Sequence, residues 1–130
     1  MNLPRALSRP LLAGMFVYGG LDAVRSPETK AGRAAGVTEP ITQTLAIHED
    51  PATLVRVNGA VQIAFALLLA CNRIPRISAL VLAASLVPTT AAGHRFWEEE
   101  DERARRQQTI HFLKNAAMLG GLLAVVGEGS

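Results

Sequence analysis

The 130-residue sequence predicts an all-α integral membrane protein, a four-helix bundle with a long first loop that contains a short interfacial helix. Three observations predict it: charge is confined to the gaps between four apolar windows, proline and cap residues mark helix ends at the window edges, and one connection is tight while another is long. No Asp, Glu, Lys or Arg occurs in Pro10–Leu21, Val57–Asn72, Ile77–Gly93 or Asn115–Gly127. A soluble amphipathic helix would carry a charge on its wet face every turn or so. Segments that are apolar or small all round need burial on every side, and so small a chain has too little other protein to bury four of them. Lipid therefore stands ahead of the alternative, a soluble four-helix bundle.

The windows are shorter than the roughly 20 residues that cross about 30 Å of hydrocarbon. Arg9, Arg25, Arg56, Arg73, Arg76 and Arg95 flank them and are expected to lengthen the spans by snorkelling towards the headgroups. Tyr18, Phe96, Trp97 and Phe112 supply a sparse aromatic belt. Arg5 and Arg9 ahead of an apolar run look like a signal peptide. Asp22 and Arg25 occupy the place where a small-x-small cleavage site would follow, so the segment is expected to stay as a helix.

A single domain, 1–130, is expected, with helices at about 8–24, 52–71, 75–96 and 98–126. Pro10 suits the first turn of helix 1 and Ser26-Pro27 stops it. Asp50-Pro51 opens helix 2. The tight "NRIPR" makes helices 2 and 3 antiparallel neighbours, and Pro88 should kink helix 3. In the first loop, "TEPITQTLAI" reads as Thr38 capping a short helix with Pro40 in its first turn. Ile41, Leu45 and Ile47 would lay that helix on the membrane surface; a solvated loop helix fits equally well. Helix 4 is expected to begin in the charged block, where Glu98–Glu102 favour its dipole. Glu99–Arg103, Glu102–Arg105 and Glu102–Arg106 then fall at pairing distance along it.

Several function classes drop out. A net charge of +2, with no basic stripe, argues against nucleic acid. Cys71 is the one cysteine, which excludes an intrachain disulfide, a CxxC redox pair and a cysteine-based zinc site. His94 and His111 have no third ligand beside them, so no metal is expected. No nucleophilic triad or phosphate loop is visible either. Lys and Arg gather on the long-loop side of the helices, which places those loops in the cytoplasm and both termini outside.

The intramembrane polar residues are Asp22, Asn58, Gln62, His94, His111, Lys114 and Asn115. All seven fall within about two turns of the long-loop end, whereas the other half of the windows offers only Ser78. Ionisable groups in hydrocarbon cost a few kcal/mol and so tend to face the bundle interior and one another. His111, Lys114 and Asn115 share a face of helix 4, and Asn58 and Gln62 share a face of helix 2. Asp22 could offset Lys114, with His94 between them as a group able to exchange a proton near neutral pH. The cluster reads either as interhelical glue or as a pocket for a quinone-like head group, a small polar substrate or a proton path.

On "RPLLAGMFVYGGLDAVRSP", "NGAVQIAFALLLACNRIPRISALVLAASLVPTTAAGHRFW" and "RRQQTIHFLKNAAMLGGLLAV", the chain resembles the DoxX family of small bacterial membrane proteins. "HRFW" and "FLKNAAMLGGLLA" are the most specific pieces. The resemblance implies a four-helix, multi-pass protein of the bacterial cytoplasmic membrane. Many family members carry a glutamate in helix 2 where this chain has Gln62, which cannot titrate. Some relatives look like subunits of thiosulfate:quinone oxidoreductases and others are tied to membrane thiol-stress complexes. Two functions follow as expectations. One is an accessory, structural membrane subunit that packs against a larger, respiratory or redox, membrane complex or a second copy, using small-residue faces at Gly14, Gly120 and Gly121. The other is the membrane subunit of a quinone-linked oxidoreductase whose polar pocket Asp22, His94, His111 and Lys114 line. Neither makes the isolated chain an enzyme. No intrinsic cofactor is expected; quinone or lipid would be the ligand.

Overall fold

A computed structural model describes residues 2–28, 50–93 and 96–128 of the chain. Among the described residues four α-helices follow one another: α1 (Leu3–Arg25), α2 (Pro51–Ala70), α3 (Pro75–Gly93) and α4 (Glu102–Val126), with a 3-10 turn at Phe96–Glu98 ahead of α4. The described residues contain no strand. The expected interfacial helix around Thr38–Ile47 lies outside them, as does His94.

Two helix starts differ from the sequence expectation. α1 begins at Leu3 rather than near Ser8, because Asn2 caps it by accepting from the Arg5 amide at 3.1 Å and Pro4 fits the first turn. Pro10 consequently lies inside the helix. α4 begins at Glu102 rather than near Glu98. Asp101 is its cap, accepting from the Ala104 amide at 3.0 Å, so Glu98, Glu99 and Glu100 precede the helix. Glu102–Arg106 is the expected pair that forms, at 3.4 Å between two well-exposed side chains, and such a pair adds little stability.

α2 and α3 are joined at Cys71–Ile74. Asn72, at φ 57°, takes the left-handed position that ends a helix, while the Arg73 amide donates to Leu68 O and the Asn72 amide to Leu69 O. Asn tolerates this conformation where β-branched residues do not. Ile74, at φ 39°, is therefore the strained member of the turn.

Three stretches are long and apolar enough to cross a membrane: Pro51–Ala70, Pro75–Glu98 and Glu102–Val126. α1 has the length, 23 residues or about 34 Å at about 1.5 Å per residue. Its glycines and its Arg5, Arg9, Asp22 and Arg25 leave it without an 18-residue stretch as apolar as theirs. Only 22%, 40% and 17% of the three spans is buried inside the bundle. Apolar helices that turn most of their residues outward would aggregate in water but are at home in lipid. The protein is a membrane protein.

The interior is built from small and aliphatic residues of all four helices. α1 buries Arg9, Ala13, Phe16, Gly20 and Ala23 at alternating four- and three-residue steps, and leaves Leu3, Leu7, Leu11, Met15 and Tyr18 exposed along another face. The core joins Ala13 and Phe16 to Ala66 and Leu69 of α2, Leu82 and Leu86 of α3, and Leu122 and Val125 of α4. α1 packs chiefly on α2, and α3 packs on both α2 and α4; α1 and α4 meet only sparsely. The aromatics expected as a loose belt converge instead: Phe96, Trp97 and Phe112 stack edge to face at 5.2–5.9 Å and hold the 3-10 turn on α4.

α1 and α2 cross closely at Gly20 and Gly59. A Cβ on Gly59 would sit 2.7 Å from Gly20 O and 2.8 Å from the Ala23 Cβ, and a Cβ on Gly20 would sit 2.7 Å from Gly59 O. Because backbone blocks the space, no side-chain rotation can relieve it. Gly59→Ala should therefore destabilise the fold by about 1–3 kcal/mol, as overpacking does. Gly19, whose added Cβ meets nothing within 4 Å, is the control. Gly19→Ala should be neutral or gain up to about 1 kcal/mol of helix propensity. Thermal unfolding in detergent micelles measures both; equal behaviour would refute the close contact.

Candidate functional site

The apolar environment dictates how the long-loop end is organised. A side-chain amide in hydrocarbon must find its bonding partners inside the protein. Asn58 and Gln62, one turn apart on α2, both point at α3 and meet two hydroxyls there. Gln62 Nε2 donates to Ser85 Oγ at 2.9 Å and to Thr89 Oγ1 at 3.4 Å. Ser85 Oγ donates to Asn58 Oδ1 at 2.6 Å, and Asn58 Nδ2 donates to Thr89 Oγ1 at 3.1 Å. The four side chains thus close a hydrogen-bonded ring across the α2–α3 interface.

The Thr89 hydroxyl proton is taken up by Ser85 O at 2.9 Å, one turn back in its own helix. Thr90 repeats this with Leu86 O at 2.8 Å, which leaves its oxygen to accept from Asn115 Nδ2 of α4 at 3.0 Å. Gln62, Ser85 and Asn115 are buried; Asn58, Thr89 and Thr90 are partly so. Pro88 stands within this same turn of α3, where it removes a backbone donor.

Of the seven residues expected to cluster, the structure brings Asn58 and Gln62 into one network and ties Asn115 to α3 beside it. Asp22 and His111 are exposed, each with an interaction of its own. Lys114 is half-buried on α4, one residue before Asn115, and its ammonium meets no partner among the described residues. Ser85, Thr89 and Thr90, which complete the network, were not singled out from the sequence. The signal available was their spacing: Ser85 and Thr89 are one turn apart, as Asn58 and Gln62 are.

The other end of the bundle carries a second polar group, and here the expectation needs correcting. Arg9 does not snorkel. It is 7% exposed, and its guanidinium donates to Asn72 Oδ1 in the α2–α3 turn and to Glu128 Oε2 just past α4. Its Nε is buried without a partner among the described residues. Arg25, Arg56, Arg73 and Arg76 are exposed, as snorkelling requires. No group of three or more His, Cys, Asp or Glu that could hold a metal occurs among the described residues.

The ring explains the amide at position 62. Gln62 supplies two N–H donors, whereas an ionised carboxylate supplies none. Gln62→Glu should cost about 1–3 kcal/mol of unfolding free energy, because the buried Ser85 hydroxyl loses its donor and Thr89 keeps only the one from Asn58. Gln62→Leu should cost about 1–2 kcal/mol. Unchanged thermal stability in both variants would show that the ring does not hold α2 to α3.

No curated protein and no solved structure matches the chain. The DoxX family model matches residues 5–95, from the first turns of α1 through α2 and α3. That stretch covers more than half of the sequence and includes the Gly20–Gly59 crossing, the Asn72 turn and the hydrogen-bonded ring. The chain belongs to the DoxX family.

Proposed function

We propose that this chain is an accessory, structural subunit of the bacterial cytoplasmic membrane, with α1 as its fourth span, that packs against a larger membrane complex and carries out no chemistry alone. The observation that carries this reading is the ring: Asn58, Gln62, Ser85 and Thr89 satisfy one another, as interhelical glue does, instead of converging on a ligand. Two outward glycines add to it. A Cβ on Gly14 or Gly120 would meet nothing within 4 Å, so both leave room for another helix to approach closely. Gly121, expected on the same outer face, is instead used within the chain, 3.2 Å from Leu12 Cδ2 when given a Cβ.

Lys114 favours the second reading, in which the chain is the membrane subunit of a quinone-linked oxidoreductase. A half-buried ammonium beside Asn115 could donate to a quinone carbonyl oxygen. Such a role needs redox cofactors from a partner protein.

Native electrophoresis of solubilised membranes separates the two readings. Gly120→Leu should release the chain from its large complex and leave the thermal stability of the purified chain within about 0.5 kcal/mol, as for an unpacked surface site. A complex that persists at full size in both Gly120→Leu and Gly14→Leu would sink the accessory reading. Lys114→Met keeps most of the stem's packing and removes the charge, so an accessory subunit should retain function with a stability change of about 1–2 kcal/mol. Loss of quinone reduction with the complex intact would establish the oxidoreductase reading instead.

A further inference from the structure

The end of the bundle opposite the ring holds an open cleft of about 710 Å³. Its polar lining is Arg5, Arg9, Asn72, Arg76 and Glu128, and its apolar wall includes Ile77 and Leu80. Three arginines against one glutamate leave a formal charge of +2. Arg9 is buried and held by Asn72 and Glu128, so it forms a fixed floor. The other two guanidiniums keep donors to offer. Arg5 reaches Glu128 only at 3.9 Å and is half exposed, and Arg76 uses its Nε alone, donating to Val126 O at 3.0 Å. Among the described residues, neither Nη group of Arg76 has a partner.

The order of the lining matters as much as its charge. Arg76 stands in the first turn of α3, Ile77 follows it, and Leu80 lies one turn deeper in the same span, with Ile77 and Leu80 each 56% exposed. Passing inward from the helix ends, the cleft goes from guanidinium to hydrocarbon within about 6 Å. The geometry points to a bound anionic phospholipid: its phosphate diester accepts from Arg76 and Arg5, and an acyl chain lies along Ile77 and Leu80. Planar guanidinium donors suit phosphate oxygens. The uncompensated positive charge selects a lipid with net negative charge over one whose headgroup carries its own cation. This assignment needs only that the bundle sits in a membrane, and it holds for an accessory subunit and for an oxidoreductase subunit alike.

Native mass spectrometry of the full chain tests it, in micelles supplied with phosphatidylglycerol or phosphatidylcholine of the same acyl length. About tenfold greater retention of phosphatidylglycerol is expected, the value of one charge-assisted hydrogen bond. The preference should vanish in the Arg5→Gln/Arg76→Gln chain. It should survive in Arg103→Gln/Arg105→Gln, which removes the same charge from the far end. Equal retention of the two lipids overturns the proposal, and so does equal loss in both double variants, which would mark an effect of bulk charge. Displacement of the lipid by inorganic phosphate would make this a free-anion site and overturn the lipid assignment. If the Arg5/Arg76 chain fails to fold, phosphatidylglycerol carrying a diazirine on its acyl chain decides the matter on the unaltered protein. Crosslinks at Ile77 or Leu80 are expected; crosslinks confined to other helices would refute the site.

Discussion

The ring formed by Asn58, Ser85, Gln62 and Thr89 sets the rotation and height of α2 against α3, and the remaining helices take their places from that pair. Hydrocarbon offers no water to an amide that misses its partner, so a turn of either helix by one residue would strand several polar atoms. With α2 fixed, Gly59 faces outward from the ring and receives Gly20 of α1. With α3 fixed, Thr90 faces α4 and receives Asn115. Neither outer helix makes the inner contact itself. α1 packs along α2, and α4 along α3, against a pair already held in register.

The two ends of the bundle use different physics for the same purpose. The ring is neutral throughout: each hydroxyl both donates and accepts, and no charge has to leave water. At the opposite end, Arg9 is buried with Glu128 and Asn72, an arrangement that costs more to desolvate and tolerates less loss of a partner. The difference follows position. Asn72 and Glu128 stand just past the ends of α2 and α4, where headgroups and water are near, and Arg9 reaches them from the second turn of α1. Asn58 and Ser85 lie within helices.

The fold was legible in the sequence because lipid imposes a coarse rule on composition: four windows without charge, bounded by Pro51, Pro75 and the acidic block, became four helices. Asn58, Gln62 and Asn115 were legible too, since a long amide in a charge-free window is conspicuous. Ser85, Thr89 and Thr90 were not. A hydroxyl in such a helix can always bond to the carbonyl one turn back, as Thr89 and Thr90 do, so its presence carries no message about a second partner. Arg9 was read wrongly for a related reason. An arginine at the edge of an apolar window usually reaches for water, and its carboxylate, Glu128, stands at the far end of the chain where no local pattern links the two. The helix starts at Leu3 and Glu102 depended on single caps, Asn2 and Asp101, that hydropathy does not register.

The distance along the chain between Arg9 and Glu128 also bears on how the protein is made. α1 is synthesised before α2, α3 and α4, and its Arg9 guanidinium lacks both its partners at that moment. Asn72 arrives only after α2 has been completed, and Glu128 only after α4. Until then α1 carries an unneutralised charge on the face that will become interior. α1 thus reaches its final environment only when α4 is complete, and a chain cut short before Glu128 would leave the Arg9 guanidinium without its carboxylate.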